Sequence, residues 1–279
     1  MKNFLKDSIK KYVMEKGDNF FDFLDTNGFK NPLIRFASAK DPIFNSFKEI
    51  IGEYHLTPTE AYELFFDGEK LKKGSVISIA LPFSDEIIES NKQGNMPSKK
   101  WLLMGCSGGG FTSELSSYIS TILKDKGYNA INPTSQNSFK ITLDDNPHSN
   151  WSQKHIAYGC GLGTFSLNGS LITEKGRAIL LLSLITNLVV EPDSRPYKNH
   201  TDNCLHYHDK ECGECIERCP VDALSENGID KLKCFERSFG EEAKEYAKSI
   251  GLKSDHAYGC GLCLVGVPCE NENPLKSLN

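Results

Sequence analysis

The sequence predicts a mixed α/β domain followed by a small cysteine-rich module. Three observations predict it. Strand-like and helix-like segments alternate up to about residue 195. Eight of the ten cysteines fall after residue 200. Between the two regions, "EPDSRPYKNH" (Glu191–His200) has two prolines and little apolar content, which marks a boundary. The expected division is therefore 1–198 and 199–279.

The elements follow in chain order. The N-terminal stretch reads as an amphipathic helix with Leu5, Ile9 and Val13 on one face. "SVISIALPF" (Ser75–Phe83) reads as a strand ended by Pro82, and "WLLMG" (Trp101–Gly105) as a second short buried strand. "GCSGGGFT" (Gly105–Thr112) then reads as a glycine-rich turn from strand to helix. The helix is expected over Thr112–Gly127, with Thr112 as N-cap, Glu114 in the first turn and Leu115, Tyr118, Ile119 and Ile122 as its apolar stripe. Gly127 is its natural stop. Asn129–Ile131 and Phe139–Leu143 are candidate strands. The apolar run Ala178–Val190 is too short to span a bilayer and contains Ser183, Thr186 and Asn187, so it reads as one or two buried strands. Together these segments suggest a sheet packed between helices.

Composition narrows the functional classes. The 279 residues are 39% hydrophobic and 25% charged, with a net charge of -5. This balance suits a soluble globular protein and shows none of the basic excess of a dedicated nucleic-acid binder. The lysine runs Lys70–Lys73 and Lys99–Lys100 are short and read as solvated surface. The N-terminus lacks the apolar core of a signal peptide and a twin-arginine signal, so the expected location is the cytoplasm, with no membrane partner. A reducing compartment disfavours structural disulfides, and the clustered cysteines point to metal or redox chemistry.

The most informative motif is "CGECIERCP" (Cys212–Pro220), which reads C-x2-C-x3-C-P. A C-x2-C turn brings two thiolates to one centre, while the third cysteine, followed by proline, ligates the other cluster in two-cluster ferredoxins. A second set is Cys260-x2-Cys263-x5-Cys269, with Cys234 upstream. With Cys204 these make eight thiolates, enough for two [4Fe–4S] clusters in a ferredoxin-like module. Crossed connectivity gives Cys212, Cys215 and Cys269 to one cluster and Cys219, Cys234, Cys260 and Cys263 to the other. The first set needs a fourth ligand, because Asp209 stands where the ordinary motif has cysteine. Cys204 is the best substitute, with His206 or His208 as alternatives. A zinc site built on Cys212/Cys215 and Cys260/Cys263 is the competing reading, though Cys-Pro and four further cysteines exceed its needs.

"AYGCGL" occurs twice, at Ala157–Leu162 and Ala257–Leu262. The second copy continues to Cys263 and forms a C-x2-C pair; the first continues to Gly163 and cannot. The first copy is therefore expected to be a turn lining a cavity, with Cys160 either a small buried residue or a thiol facing a site. "GCSGGGFT" matches the G-x4-G spacing of a phosphate loop, but Phe111 replaces the required lysine, which argues against ATP hydrolysis.

"CGECIERCP", "KLKCFERSF" (Lys231–Phe239) and "AYGCGLC" (Ala257–Cys263) together resemble the iron–sulfur half of the epoxyqueuosine reductases and of corrinoid reductive dehalogenases. Upstream, "SVISIALPF" and "GCGLGTFSLNGSLIT" (Gly159–Thr173) are similar to that family's strand and Gly-Leu-Gly segment, so the resemblance covers roughly 75–269. It implies a cobalamin-type α/β domain joined to a two-cluster module, with electrons passing to cobalamin from an external donor such as ferredoxin or flavodoxin. It also implies a cytoplasmic reductase of a small substrate.

The resemblance further implies site residues. Gly161, Gly163 and Tyr258 would line the cofactor cavity. Ser107 and Gly108, in the glycine-rich turn, would hold a corrinoid phosphate or amide through backbone N–H groups. Asp144 or Asp145 would supply the proton, although Asp-Asp-Asn-Pro is also a strong turn sequence. The chain stops ten residues after Cys269, without the helical-repeat tail that helps the family hold tRNA. With the acidic balance, this sets the expectation against tRNA as partner. A second reading makes the protein an electron carrier for a partner redox protein, with no substrate of its own.

Overall fold

The computed structural model describes residues 1–15, 19–144, 146–209, 212–253 and 259–276. Its centre is a four-stranded sheet in the order Leu33–Ser38, Ser75–Pro82, Ile179–Thr186, Ala130–Ile131. Every neighbouring pair is antiparallel. The fold therefore mixes α and β elements around an antiparallel sheet. Ser75–Pro82 runs against Ile179–Thr186 over its whole length, from Ser75 opposite Thr186 to Pro82 opposite Ile179. All eight of its residues are buried.

Burial on both faces explains why these strands read as continuous apolar runs. Ile77, Ile79 and Leu81 face one core with the helices Lys2–Glu15 and Lys99–Lys124. Val76 faces a second core with Ile43–Ile51, Pro58–Phe65 and Gln153–Gly159, while Ala80 meets Ala157 on that last helix. Each fully buried Ile or Leu contributes about 1.5–3 kcal/mol of transfer free energy. The expected N-terminal helix forms over Lys2–Glu15 and buries Leu5, Ile9 and Val13.

The largest departure from expectation is between residues 99 and 124. The expected strand, glycine-rich turn and helix are one helix, Lys99–Lys124. Ser98 is its N-cap, accepting the Trp101 N–H at 3.0 Å. Four glycines inside it, Gly105 and Gly108–Gly110, each weaken it by about 1 kcal/mol against alanine. Burial of Trp101, Met104, Phe111, Leu115, Ile119 and Leu123 in the core against the sheet outweighs that local preference. Gly108 has a packing reason: a Cβ there would stand 3.0 Å from Leu180 and 3.4 Å from Phe29.

The hairpin Gly163–Phe165/Leu171–Thr173 carries the cysteine-rich chain. Phe165 N–H donates to the His200 carbonyl at 2.7 Å, and Asn203 donates to Thr164 Oγ1 and the Ile172 carbonyl, each at 2.8 Å. Beyond it lie the short helices Leu205–Asp209 and Glu214–Glu217, a two-stranded ribbon, and the paired helices Lys231–Phe239 and Glu241–Ser249. Among the described residues, no helix is long and apolar enough to cross a membrane.

Candidate metal centre

Cys204, Cys212, Cys215 and Cys269 line one pocket, together with Arg177, His206, Val267 and Pro268. Cys204 precedes the helix Leu205–Asp209 and caps it through its carbonyl, which accepts from Tyr207 N at 3.1 Å. Cys215 sits in the single helical turn Glu214–Glu217. Cys269 arrives from the far end of the chain, where its carbonyl accepts the Arg177 N–H at 2.9 Å. His206 Nδ1 lies 2.9 Å from the Cys212 carbonyl, so that nitrogen carries the proton and donates. His208 is exposed. Burial pushes the Cys269 thiol up to about 12, against the opposing charge of Arg177. Cys212 and Cys215 are raised by the same cause.

Cys219, Cys234, Cys260 and Cys263 form a second group. Cys234 lies on Lys231–Phe239, whose N-cap Asp230 accepts the Lys233 N–H at 3.0 Å. Burial raises the Cys234 thiol, and the adjacent Cys260 and Cys219 push the same way, against a hydrogen bond with Ser238. Burial takes Cys263 up to about 11. Two donors already point at sulfur: Ala223 N–H reaches Cys219 Sγ at 3.2 Å, and Asn168 Nδ2 reaches Cys263 Sγ at 3.2 Å. Buried Asn91 donates to the Cys260 carbonyl at 3.2 Å, and Arg218 donates to the Leu262 carbonyl at 3.2 Å and the Asn91 carbonyl at 3.1 Å.

None of the ten cysteines forms a disulfide. Among the described residues, no three His, Cys, Asp or Glu side chains stand close enough to hold a single metal ion. A four-iron cube spreads its thiolates more widely than one ion does. Two groups of four soft sulfur donors, walled by apolar side chains and backbone N–H groups, fit such clusters chemically.

Among the described residues, those nominated for a corrinoid do not form a cradle for one. Ser107 and Gly108 lie within the helix Lys99–Lys124, so the strand-to-helix turn that would have presented free N–H groups is absent. Gly161 closes onto the chain itself: a Cβ there would sit 2.7 Å from the Ser194 carbonyl. Gly163 faces the Ile172 carbonyl in the hairpin and donates its N–H to Tyr197 Oη at 3.1 Å. Tyr258 lies outside the described residues, as does Asp145. Asp144 is exposed in a turn: its carboxylate accepts the Asn146 N–H at 3.0 Å and lies 3.5 Å from His148 Nδ1. Asn146 in turn accepts from Lys231 Nζ at 2.7 Å, which ties this turn to the helix of Cys234.

Sequence reasoning missed Arg177, Asn168 and Asn91. A charge at the mouth of the apolar run Ala178–Val190 was the available signal for Arg177. Nothing local marks Asn168 or Asn91, whose sulfur-side partners are 95 and 169 residues away.

No family model matches the chain. An epoxyqueuosine reductase from Bacillus cereus is 30% identical over 122 residues, 42% of this chain and 29% of that protein. One from Staphylococcus aureus is 30% identical over 117 residues, 40% and 28% of the two chains. The sequence match thus spans less than a third of these relatives. A solved epoxyqueuosine reductase superposes over 96% of this chain and 65% of its own, with TM-score 0.55 at 17% identity. Another, solved with an epoxyqueuosine-modified tRNA-Tyr stem loop, superposes over 96% and 66% with TM-score 0.51 at 18% identity. That complex overturns the expectation against tRNA, since a protein of this fold holds a tRNA stem loop. Net charge averages over the surface and says nothing about one face. Over the matched stretch the chain is similar in sequence to epoxyqueuosine reductases, and over nearly its whole length it shares their fold.

Proposed function

We propose that the chain is an iron–sulfur reductase. Cys204, Cys212, Cys215 and Cys269 would hold one [4Fe–4S] cluster, and Cys219, Cys234, Cys260 and Cys263 the other. The observation that carries this reading is the gathering of eight cysteines, distant in sequence, into two separate groups of four. Bound clusters supply one-electron storage at potentials set by charge, hydrogen bonds and exposure.

The chain's own residues have distinct tasks in this reading. The apolar wall of Leu167, Ile172, Leu224 and Val267 keeps water from the sulfurs. Ala223 N–H and Asn168 stabilise negative charge on Cys219 and Cys263. Asp144 would offer a proton to the reduced substrate from a turn that Lys231 ties to the helix of Cys234, with Asp145 as the alternative donor. Cobalamin enters by resemblance alone as the group that would supply the reducing metal. The electron donor is a ferredoxin or flavodoxin. A modified tRNA stem loop is the first substrate to assay, because a solved relative carries one, and a small epoxide is the second.

Anaerobic reconstitution tests the reading. About eight irons and as much acid-labile sulfide per chain are expected. Stoichiometric zinc without sulfide would refute it. Titration with cob(II)alamin, followed by EPR, then separates an enzyme, which gives a saturable base-off signal, from an electron carrier, which binds none while keeping both clusters.

A further inference from the structure

Arg177 is the largest charged side chain within the core, only 2% exposed. Its main-chain N–H donates to the Cys269 carbonyl at 2.9 Å. Its guanidinium lines the cavity of Cys204, Cys212, Cys215 and Cys269. One Nη donates to the Cys263 carbonyl of the other cysteine group, and the second lies 3.4 Å from Ser166 Oγ. Both acceptors are neutral, so these contacts give the buried cation no counter-charge. Its Nε has no hydrogen-bond partner among the described residues. A buried cation with an unsatisfied N–H is strongly unfavourable unless an anion faces it.

We infer that Arg177 is the built-in counter-charge of the cluster held by Cys204, Cys212, Cys215 and Cys269, and that it raises that cluster's reduction potential. The inference rests on the cluster reading above. A thiolate-ligated [4Fe–4S] cluster is negative in both redox states and gains one more negative charge on taking up an electron. A fixed cation at its edge therefore stabilises the reduced form more than the oxidised form. The neighbouring backbone fixes its position. Gly176, at φ +75°, lets Glu270 and Asn271 pack directly against it, so the chain end that carries Cys269 is clamped beside the arginine.

The test is a redox titration, followed by EPR, of reconstituted wild type, Arg177→Gln and Arg177→Lys, with iron and sulfide assayed on each. Arg177→Gln is expected to keep both clusters and to shift one potential negative by about 59 mV or more, a tenfold fall in the reduced-to-oxidised ratio at fixed potential. Arg177→Lys, which keeps the charge but loses the fork, is expected to load both clusters and recover most of that shift. Full iron in Arg177→Gln with both potentials unmoved overturns the inference. So does an Arg177→Lys protein that loses iron or shifts as far as Arg177→Gln, since either result makes the role geometric and not electrostatic. A wild type without clusters instead overturns the proposed function, before any variant is compared.

Discussion

The two copies of Ala-Tyr-Gly-Cys-Gly-Leu share a left-handed glycine in fifth place and differ in what surrounds it. Gly161 and Gly261 both have positive φ, +85° and +65°. In the first copy the turn terminates the helix Gln153–Gly159. Leu162 N–H donates to the Ala157 carbonyl and Gly161 N–H to the Tyr158 carbonyl, each at 3.0 Å, which is the double closure of a Schellman motif. In the second copy Gly261 begins the single 3-10 turn Leu262–Leu264. Cys160 is fully buried among Phe44, Phe47 and Trp151, whereas Cys260 is half-buried beside Cys234. The common feature is the reversal at Gly161 and Gly261. Chemistry comes from the next residue, Gly163 or Cys263, and from what the turn packs on.

The sharpest way to break this comparison is to remove the central thiol from each copy. Cys260→Ser is expected to lose about half of the bound iron, one cluster of two. Cys160→Ser is expected to keep all of it, at a cost of about 1–3 kcal/mol for placing a hydroxyl in an apolar site. Iron and sulfide per chain decide it. Equal losses would mean that the first copy also serves a cluster.

Replacing the shared glycines sharpens the packing half of the comparison. An alanine at either position takes a left-handed conformation that costs roughly 1–2 kcal/mol. At Gly261 the added methyl also runs into the indole of Trp101, which is buried and packed edge-on against Phe83. At Gly161 it meets the Ser194 carbonyl at 2.7 Å, in the linker. Gly261→Ala is therefore expected to destabilise by about 2–4 kcal/mol and Gly161→Ala by less. Denaturant unfolding measures both, and a reversed order would show that Trp101 yields more easily than the linker.

Much of the molecule was legible from these patterns, for identifiable reasons. Ser75–Pro82 and Ile179–Thr186 were readable because burial on both faces leaves an uninterrupted apolar run. The N-terminal helix was readable because only one face is buried. The Lys99–Lys124 helix was not, because four glycines argue locally for a turn and only tertiary burial decides against it. The cysteine motifs were visible in one dimension, but Arg177 was not recognisable as part of the centre. Its meaning depends on Cys263 and Cys269, brought to it from 86 and 92 positions further along the chain.

The smallest expected effect concerns the helix that carries the first copy. His55, fully buried, accepts the Ser152 N–H at 3.0 Å through Nε2 at the start of that helix, and His155 lies one turn further on, bonded to Ser152 Oγ at 2.8 Å. Burial lowers His55 to about 4, with Lys48 adding to the effect, and lowers His155 to about 3, with Lys154 adding. The unfolded chain protonates these rings near the ordinary value of 6.5, whereas the folded chain resists until several units lower. Below pH 6.5 the unfolded state therefore binds more protons, and acid favours unfolding. The stability contributed by neutral His55 is complete above that value and falls by roughly 1 kcal/mol per pH unit on the way down to about 4. His55→Gln keeps an acceptor for Ser152 without the titration, so its unfolding free energy should fall less steeply between pH 6 and pH 5. Equal slopes in variant and wild type would mean that the ring is already protonated in the fold and is stabilised there by a neighbouring negative charge.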